Sequence, residues 1–410
     1  MSGRKLTLMS TFILVAISGF LSGCRPFQTS PPDGPYLVGV NVQNHMVGDH
    51  EVQFTTWYPA QYLPGVAPYM TEDLIIGTAV LNADFDSSGG PYPLIVFDPG
   101  FGASGNQYYF YTQNLASHGY VVIGIDPLDK DQMTDNLGKT DPKILSLALS
   151  ESYKEHDAND AVRLLFQDWW IATDFGMTYR PAEIEYAKQL AVNCNQDPSS
   201  IFYGMIDTEN IGMTGHSLGA WYSLLEGGMP FNCDYELTPE ECDVNQVSIT
   251  DLDPCCMASI AGLVNPLALK DDRIKAILPL APPILMADSQ ITRSAAELDI
   301  PVMFIAGDDP ANESTFEPMW EVYTNAANPK YFVQIRDTDH FVVFDIIETL
   351  KPWVQNLIPG GNHTYFLNKA RAYKDYSSAF FNMYLKGDTS GLSTMHHRNQ
   401  YFVKKVWYQD

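Results

Sequence analysis

The stretch Asn210 to Gly228, NIGMTGHSLGAWYSLLEGG, constrains this chain more than any other, because it sets a lone serine between two glycines where a strand-like run passes into a helix-like one. Ile211 and Met213 alternate as a short buried strand does. Ala220, Leu224 and Leu225 then repeat at helical spacing, and Gly227-Gly228 supplies a stop. Gly-x-Ser-x-Gly fixes only three positions, and roughly one unrelated chain of this length in ten would carry it by chance. Its context gives it weight. A serine hydroxyl attacks an ester when it protrudes from a sharp strand-to-helix turn, where no neighbouring Cβ blocks the substrate. Ser217 is therefore the candidate nucleophile, against the alternative of a polar residue in a turn.

Such a hydroxyl needs an imidazole to take its proton, and the imidazole needs a carboxylate to fix its tautomer. On a strand, elbow and helix of this kind the order along the chain runs serine, acid, histidine. Of the nine histidines, His340, His363, His396 and His397 lie downstream of any candidate acid. His340 is favoured because it follows the strand-like YFVQIR in the loop DTDHFVVFD. His363 falls in a Gly/Asn turn, and His396-His397 fall in a polar tail. His216 is expected to pack its ring against the elbow rather than titrate. For the acid, PVMFIAG ends in Asp308-Asp309-Pro310. Asp309, 31 residues before His340, is preferred because an Asp-Pro step commonly ends such strands, and Asp308 stays open. Two backbone N–H groups must then meet the oxyanion. Leu218, after the nucleophile, supplies one. The Gly-rich FDPGFGASG supplies the other, with Gly100 and Gly102 letting the backbone approach while Phe101 offers its N–H.

Around these residues the chain alternates strands and helices. YLVGVNVQ, EVQFTTWYP, PLIVFDPG and YVVIGIDP precede the elbow, and IKAILPLAPP, IPVMFIAGDD and KYFVQIRDTDH follow it. YYFYTQNLASHGY and YSSAFFNMYLKGD read as amphipathic helices. The pattern predicts an α/β fold with a mostly parallel, doubly wound sheet. Two stretches exceed it, a helical insertion near 130–203, which contains HDANDAVRLLFQDWW, and a Cys-rich insertion near 225–272. Either could cap the site or pad the periphery.

The first residues read as an address. Arg4 and Lys5 precede an apolar run too short and too Ser/Thr-interrupted for a membrane span, followed by Leu21-Ser22-Gly23-Cys24. Those four residues resemble a bacterial lipobox. Residues 1–23 are then a lipoprotein signal, 24–36 a lipidated Cys24 and a Pro-rich tether, and 37–410 one hydrolase domain. The expected location is a membrane surface facing the periplasm or the cell exterior. The net charge is −25, and loss of Arg4 and Lys5 with the signal takes the mature chain to −27. Such a surface repels nucleic acid. Asp126, Asp129, Asp131 and Asp135 lack the spacing of a calcium loop and read as a solvated loop; no metal or other cofactor is expected. Besides Cys24 and Cys194, the chain crowds Cys233, Cys242, Cys255 and Cys256 into a 24-residue stretch. Export permits disulfides, so two bridges there are expected, with Cys194 free and the connectivity open. Zinc is disfavoured because no His or Cys-x-x-Cys pair accompanies them.

Taken together, GPYLVGV, TTWYPA, GGPYPLIVFDPGFGASGNQYYFYTQNLASHGYVV, MTGHSLGA, DRIKAILPLAPP and FFNMYLKGD resemble bacterial α/β-hydrolases of the platelet-activating-factor acetylhydrolase, dienelactone-hydrolase-like and polyester-hydrolase (cutinase-like) group. The resemblance implies the α/β-hydrolase fold and carboxylic-ester hydrolysis without a cofactor, through an acyl-enzyme on Ser217. It matches Phe101 and Leu218 to the oxyanion donors. Asp98 departs from the group, standing where many relatives carry serine and placing near the site a carboxylate that would disfavour anionic substrates. The acid loop is also one residue short. The expected substrate is a small-molecule, lipid or polymer ester with a short or medium acyl group. A non-catalytic lipid- or partner-binding lipoprotein and a serine peptidase are the alternatives, and oligomeric state is open.

Overall fold

The computed structural model describes residues 26–62, 65–72, 74–130, 176, 178–231, 269–284, 288–308, 313–338, 340, 343, 345, 363–398 and 402–410. Along these the strands are β1 (Phe27–Gln28), β2 (Leu37–Val47), β3 (His50–Ala60), β4 (Ile75–Ile76), β5 (Val80–Leu81), β6 (Tyr92–Asp98), β7 (Val121–Asp126), β8 (Ile206–His216), β9 (Ile274–Leu280), β10 (Val302–Gly307), β11 (Lys330–Ile335) and β12 (Val403–Gln409). The helices are α1 (Tyr109–Ser117), α2 (Arg180–Gln196), α3 (Leu218–Glu226), α4 (Asp288–Ala295), α5 (Glu313–Asn325), α6 (His363–Lys386) and α7 (Leu392–His396).

Ten strands form one sheet in the order β12-β11-β10-β9-β8-β6-β7-β3-β2-β5. The six from β11 to β7 are parallel, and β3 and β12 flank them antiparallel. This is the expected doubly wound sheet. Every residue of β6 and β7 is buried, because helices cover both faces. Leu94 and Val96 point into one core with Trp221 and Leu224 of α3 and Ile184 of α2, while Ile95 and Phe97 point into the other with Phe110 of α1 and Phe380 of α6. Chain order reverses around β6, whose neighbours are β7 and β8. Sites in such sheets lie outside the carboxyl ends of the strands at this reversal.

Three segments differ from the sequence reading. The supposed tether is held to the body from Phe27 onward. β1 pairs with β4, and Thr29 and Ser30 are buried. Gln113 Nε2 donates to Ser30 O at 2.9 Å, the Asp33 N–H to Asn114 Oδ1 at 3.0 Å, and Lys374 Nζ to Pro31 O at 2.8 Å. This strand of chain covers the polar side of α1, so a helix read as amphipathic is buried all round. His363 is the first residue of α6 rather than part of a turn, and the polar tail forms α7 and the edge strand β12. His396 stacks on Tyr408 there at 4.0 Å. Cys194 is free, while Cys24, the four clustered cysteines and the segment 156–170 lie outside the described residues. Among the described residues no helix is long and apolar enough to cross a membrane, and no cluster of His, Cys, Asp or Glu could hold a metal ion.

Candidate active site

β8 delivers Ser217 into the first turn of α3 with φ 53° and ψ −118°, a conformation that costs a non-glycine residue about 1–3 kcal/mol. The surroundings hold it there: the Ser217 N–H donates to Leu280 O at 2.9 Å, and its carbonyl accepts the Trp221 N–H at 3.1 Å. The flanking glycines have a steric cause. A Cβ on Gly215 would lie 2.4 Å from Asp98 O, and one on Gly219 only 1.9 Å from it. Only bare backbone lets the end of β6 lie against the elbow.

His340, beyond β11, places Nε2 2.8 Å from Ser217 Oγ. Burial pushes its pKa down to about 4, which keeps the imidazole neutral and able to take a proton. For the hydroxyl to donate to Nε2, the ring proton must sit on Nδ1. The segment after His340 is pinned at Asp345, whose carboxylate accepts from Thr29 Oγ1 and from the Phe110 N–H, the latter at 2.8 Å.

His216 does more than pack. Its Nε2 lies 2.7 Å from the His340 carbonyl oxygen and its Nδ1 2.9 Å from Tyr108 Oη, which takes the Gly100 N–H at 3.1 Å. A carbonyl can only accept, so Nε2 carries the proton and Nδ1 accepts the Tyr108 hydroxyl. Burial holds the ring well below the ordinary histidine pKa, hence neutral. One side chain thus ties together the nucleophile elbow, the histidine loop and the glycine-rich loop.

That glycine-rich loop is a turn closed by the Ala103 N–H on Gly100 O at 3.1 Å, with Gly102 at φ 69° as a type II turn requires. Phe101, almost fully buried, is its second residue. Leu218 opens α3, where the first N–H groups have no acceptor within the helix. Beneath the turn lies Arg180 at the start of α2, itself fully buried. Its guanidinium donates to Asp98 Oδ1 at 2.6 Å, Pro99 O at 2.9 Å and Gly100 O at 3.2 Å, and forks onto Asp129 at 3.0 and 2.8 Å. Asp129 Oδ2 also accepts the Gly102 N–H at 2.6 Å. Asp126 takes Ser104 Oγ at 2.6 Å and the Gly105 N–H at 2.9 Å.

These contacts correct two expectations. Asp126 and Asp129 are buried supports, not a solvated loop. Asp98 is buried against Arg180, so it presents no charge to a substrate; burial first, and then its acidic neighbours, raise its pKa to about 7 against the pull of Arg180. Asp308 stands at the end of β10, but its carboxylate accepts the Asp337 N–H at 2.6 Å and pairs with Lys404 at 3.1 Å. Asp309 lies outside the described residues. Arg180 and Tyr108 escaped the sequence reading. A signal existed for the arginine, since an acid ending an otherwise apolar buried strand requires a cationic partner.

Residues 34–169 match the model of the family described as platelet-activating factor acetylhydrolase, isoform II. No curated protein sequence matches the chain significantly. Among solved structures, a ferulic acid esterase from Streptomyces cinnamoneus is similar with a TM-score of 0.54 and 16% identity, over 93% of this chain and 99% of that one. The chain has the α/β-hydrolase fold, and its likenesses are to an acetylhydrolase family and an esterase.

Proposed function

We propose that this protein is a serine carboxylic-ester hydrolase working through an acyl-enzyme on short or medium acyl esters. The observation that carries the reading is the 2.8 Å contact between Ser217 Oγ and a neutral His340 Nε2 at a strained elbow. In this mechanism Ser217 Oγ bonds to the ester carbonyl carbon as its proton passes to His340 Nε2. Phe101 and Leu218 N–H groups stabilise the oxyanion, and Asp309 orients His340 through Nδ1. As the carbon–alkoxide bond breaks, the imidazolium protonates the leaving alcohol. Water then repeats the sequence on the acyl-enzyme and frees the acid and Ser217. The acetylhydrolase family match and the esterase neighbour favour ester over peptide substrates.

The N-terminal sequence supports export and a lipid on Cys24, with the catalytic body outside the cytoplasm. Phe27 is already seated in the fold, and three residues of chain span about 10 Å at most. The body would therefore sit close against the bilayer.

Hydrolysis of p-nitrophenyl acetate, butyrate and octanoate by the parent and a Ser217→Ala variant tests the activity. The variant is expected to lose at least about 10³-fold in kcat. A folded variant with the parental rate would remove the reading.

A further inference from the structure

We propose that Arg180, from a helix outside the strand ends that carry the chemistry, is the positioning residue that aims the Phe101 N–H at the oxyanion. The inference rests on the ester-hydrolase reading and extends it to a residue in none of its catalytic roles. A trans peptide is planar, so its C=O and the following N–H point in opposite directions. Arg180 draws the carbonyls of both Pro99 and Gly100 to one side of the loop, at 2.9 and 3.2 Å. The N–H groups of Gly100 and Phe101 are thereby turned to the other. The first of these reports the direction, because the Gly100 N–H meets Tyr108 Oη, which is itself bonded to the elbow through His216. The loop is also close to the nucleophile: a Cβ on Gly100 would lie 3.4 Å from Ser217 Cβ.

The brace is over-determined. Asp129 receives the guanidinium fork through both oxygens and holds the Gly102 N–H on the far side of Phe101. The residue that presents the donor is thus fixed before and after. Asp98 closes the arrangement on Arg180 Nη1. A planar fork with donors on three nitrogens can hold two carbonyls and two carboxylates at once, whereas an ammonium is a point charge without that geometry. Neutralising Asp98 and Asp129 alone would need only the charge.

That difference sets the test. Arg180→Lys keeps the charge and gives up the fork. We measure kcat, KM and the affinity for a trifluoromethyl ketone, whose adduct with serine carries the oxyanion. The expected result is a fall in kcat of about 10- to 100-fold, KM within about threefold of the parent, and weakening of the ketone by the same factor as kcat. A merely structural role would not move ketone affinity and kcat together while sparing KM. A folded Arg180→Lys enzyme with parental kcat and ketone affinity, or one whose loss lies in KM, overturns the proposal. Should that variant not fold, Asp129→Asn, which weakens the fork and the Gly102 anchor, carries the same expectation and the same refutation. An inactive parent would instead strike down the ester-hydrolase reading itself.

Discussion

His340 is held neutral by burial, and this makes its titration the most informative property of any single side chain. Burial pushes its pKa down to about 4. A carboxylate on Nδ1 would favour the charged ring and work against that shift. Activity needs the neutral form, so kcat/KM should fall as the pH drops through the pKa of the free enzyme. If Asp309 is the orienting acid, Asp309→Asn moves this acid limb to lower pH and lowers kcat; a limb that stays in place shows that another group pairs with Nδ1. Ser217 and His340 were legible in the sequence because each has a local signature, a glycine-flanked turn and the end of a strand. His216 was visible only as a neighbour of Ser217. Its bonds to Tyr108 and to the His340 carbonyl join positions 108 and 124 residues apart, and no local pattern encodes such a pairing.

The helices behave likewise, since their apolar faces show in the sequence and their cross-links do not. α2 lies within the longer insertion, and the structure makes its start a support beneath the glycine-rich turn. Farther along α2, Lys188 is buried against Glu226 at the end of α3 and Asp271 before β9, at 2.9 and 2.8 Å. Burial raises the Glu226 pKa to about 7 despite Lys188. Removing the cation leaves the buried Glu226 carboxylate without its partner, while Asp271 keeps Arg273 at 2.7 Å, so Lys188→Met should cost about 3 kcal/mol. Urea denaturation at neutral pH checks the figure. Adding Glu226→Gln should return part of the loss, because it removes one stranded charge. A single Lys188→Met variant as stable as the parent would show that this junction does not hold α2 to α3. β12 was missed because its exposed lysines, Lys404 and Lys405, give it the look of a tail. They also suit it to the rim of a sheet, where lysine discourages pairing with another chain.

Across the molecule, alternation of strands and helices was enough to predict a doubly wound α/β sheet, because near-continuous apolar strands such as β6 and β7 require cover on both faces. The order β12-β11-β10-β9-β8-β6-β7-β3-β2-β5 was not legible, since it depends on pairings between distant segments. That order sets the carboxyl ends of β6, β8 and β11 along one edge of the sheet, and the segments beyond them carry the glycine-rich turn, Ser217 and His340. The most direct test is to trap the covalent intermediate. Parent protein mixed with excess p-nitrophenyl butyrate, quenched in acid within the first turnover and digested for peptide mass mapping, should carry one butyryl group on Ser217. Turnover with no acyl group on Ser217 at any quench time, or with the label on another residue, would contradict the account.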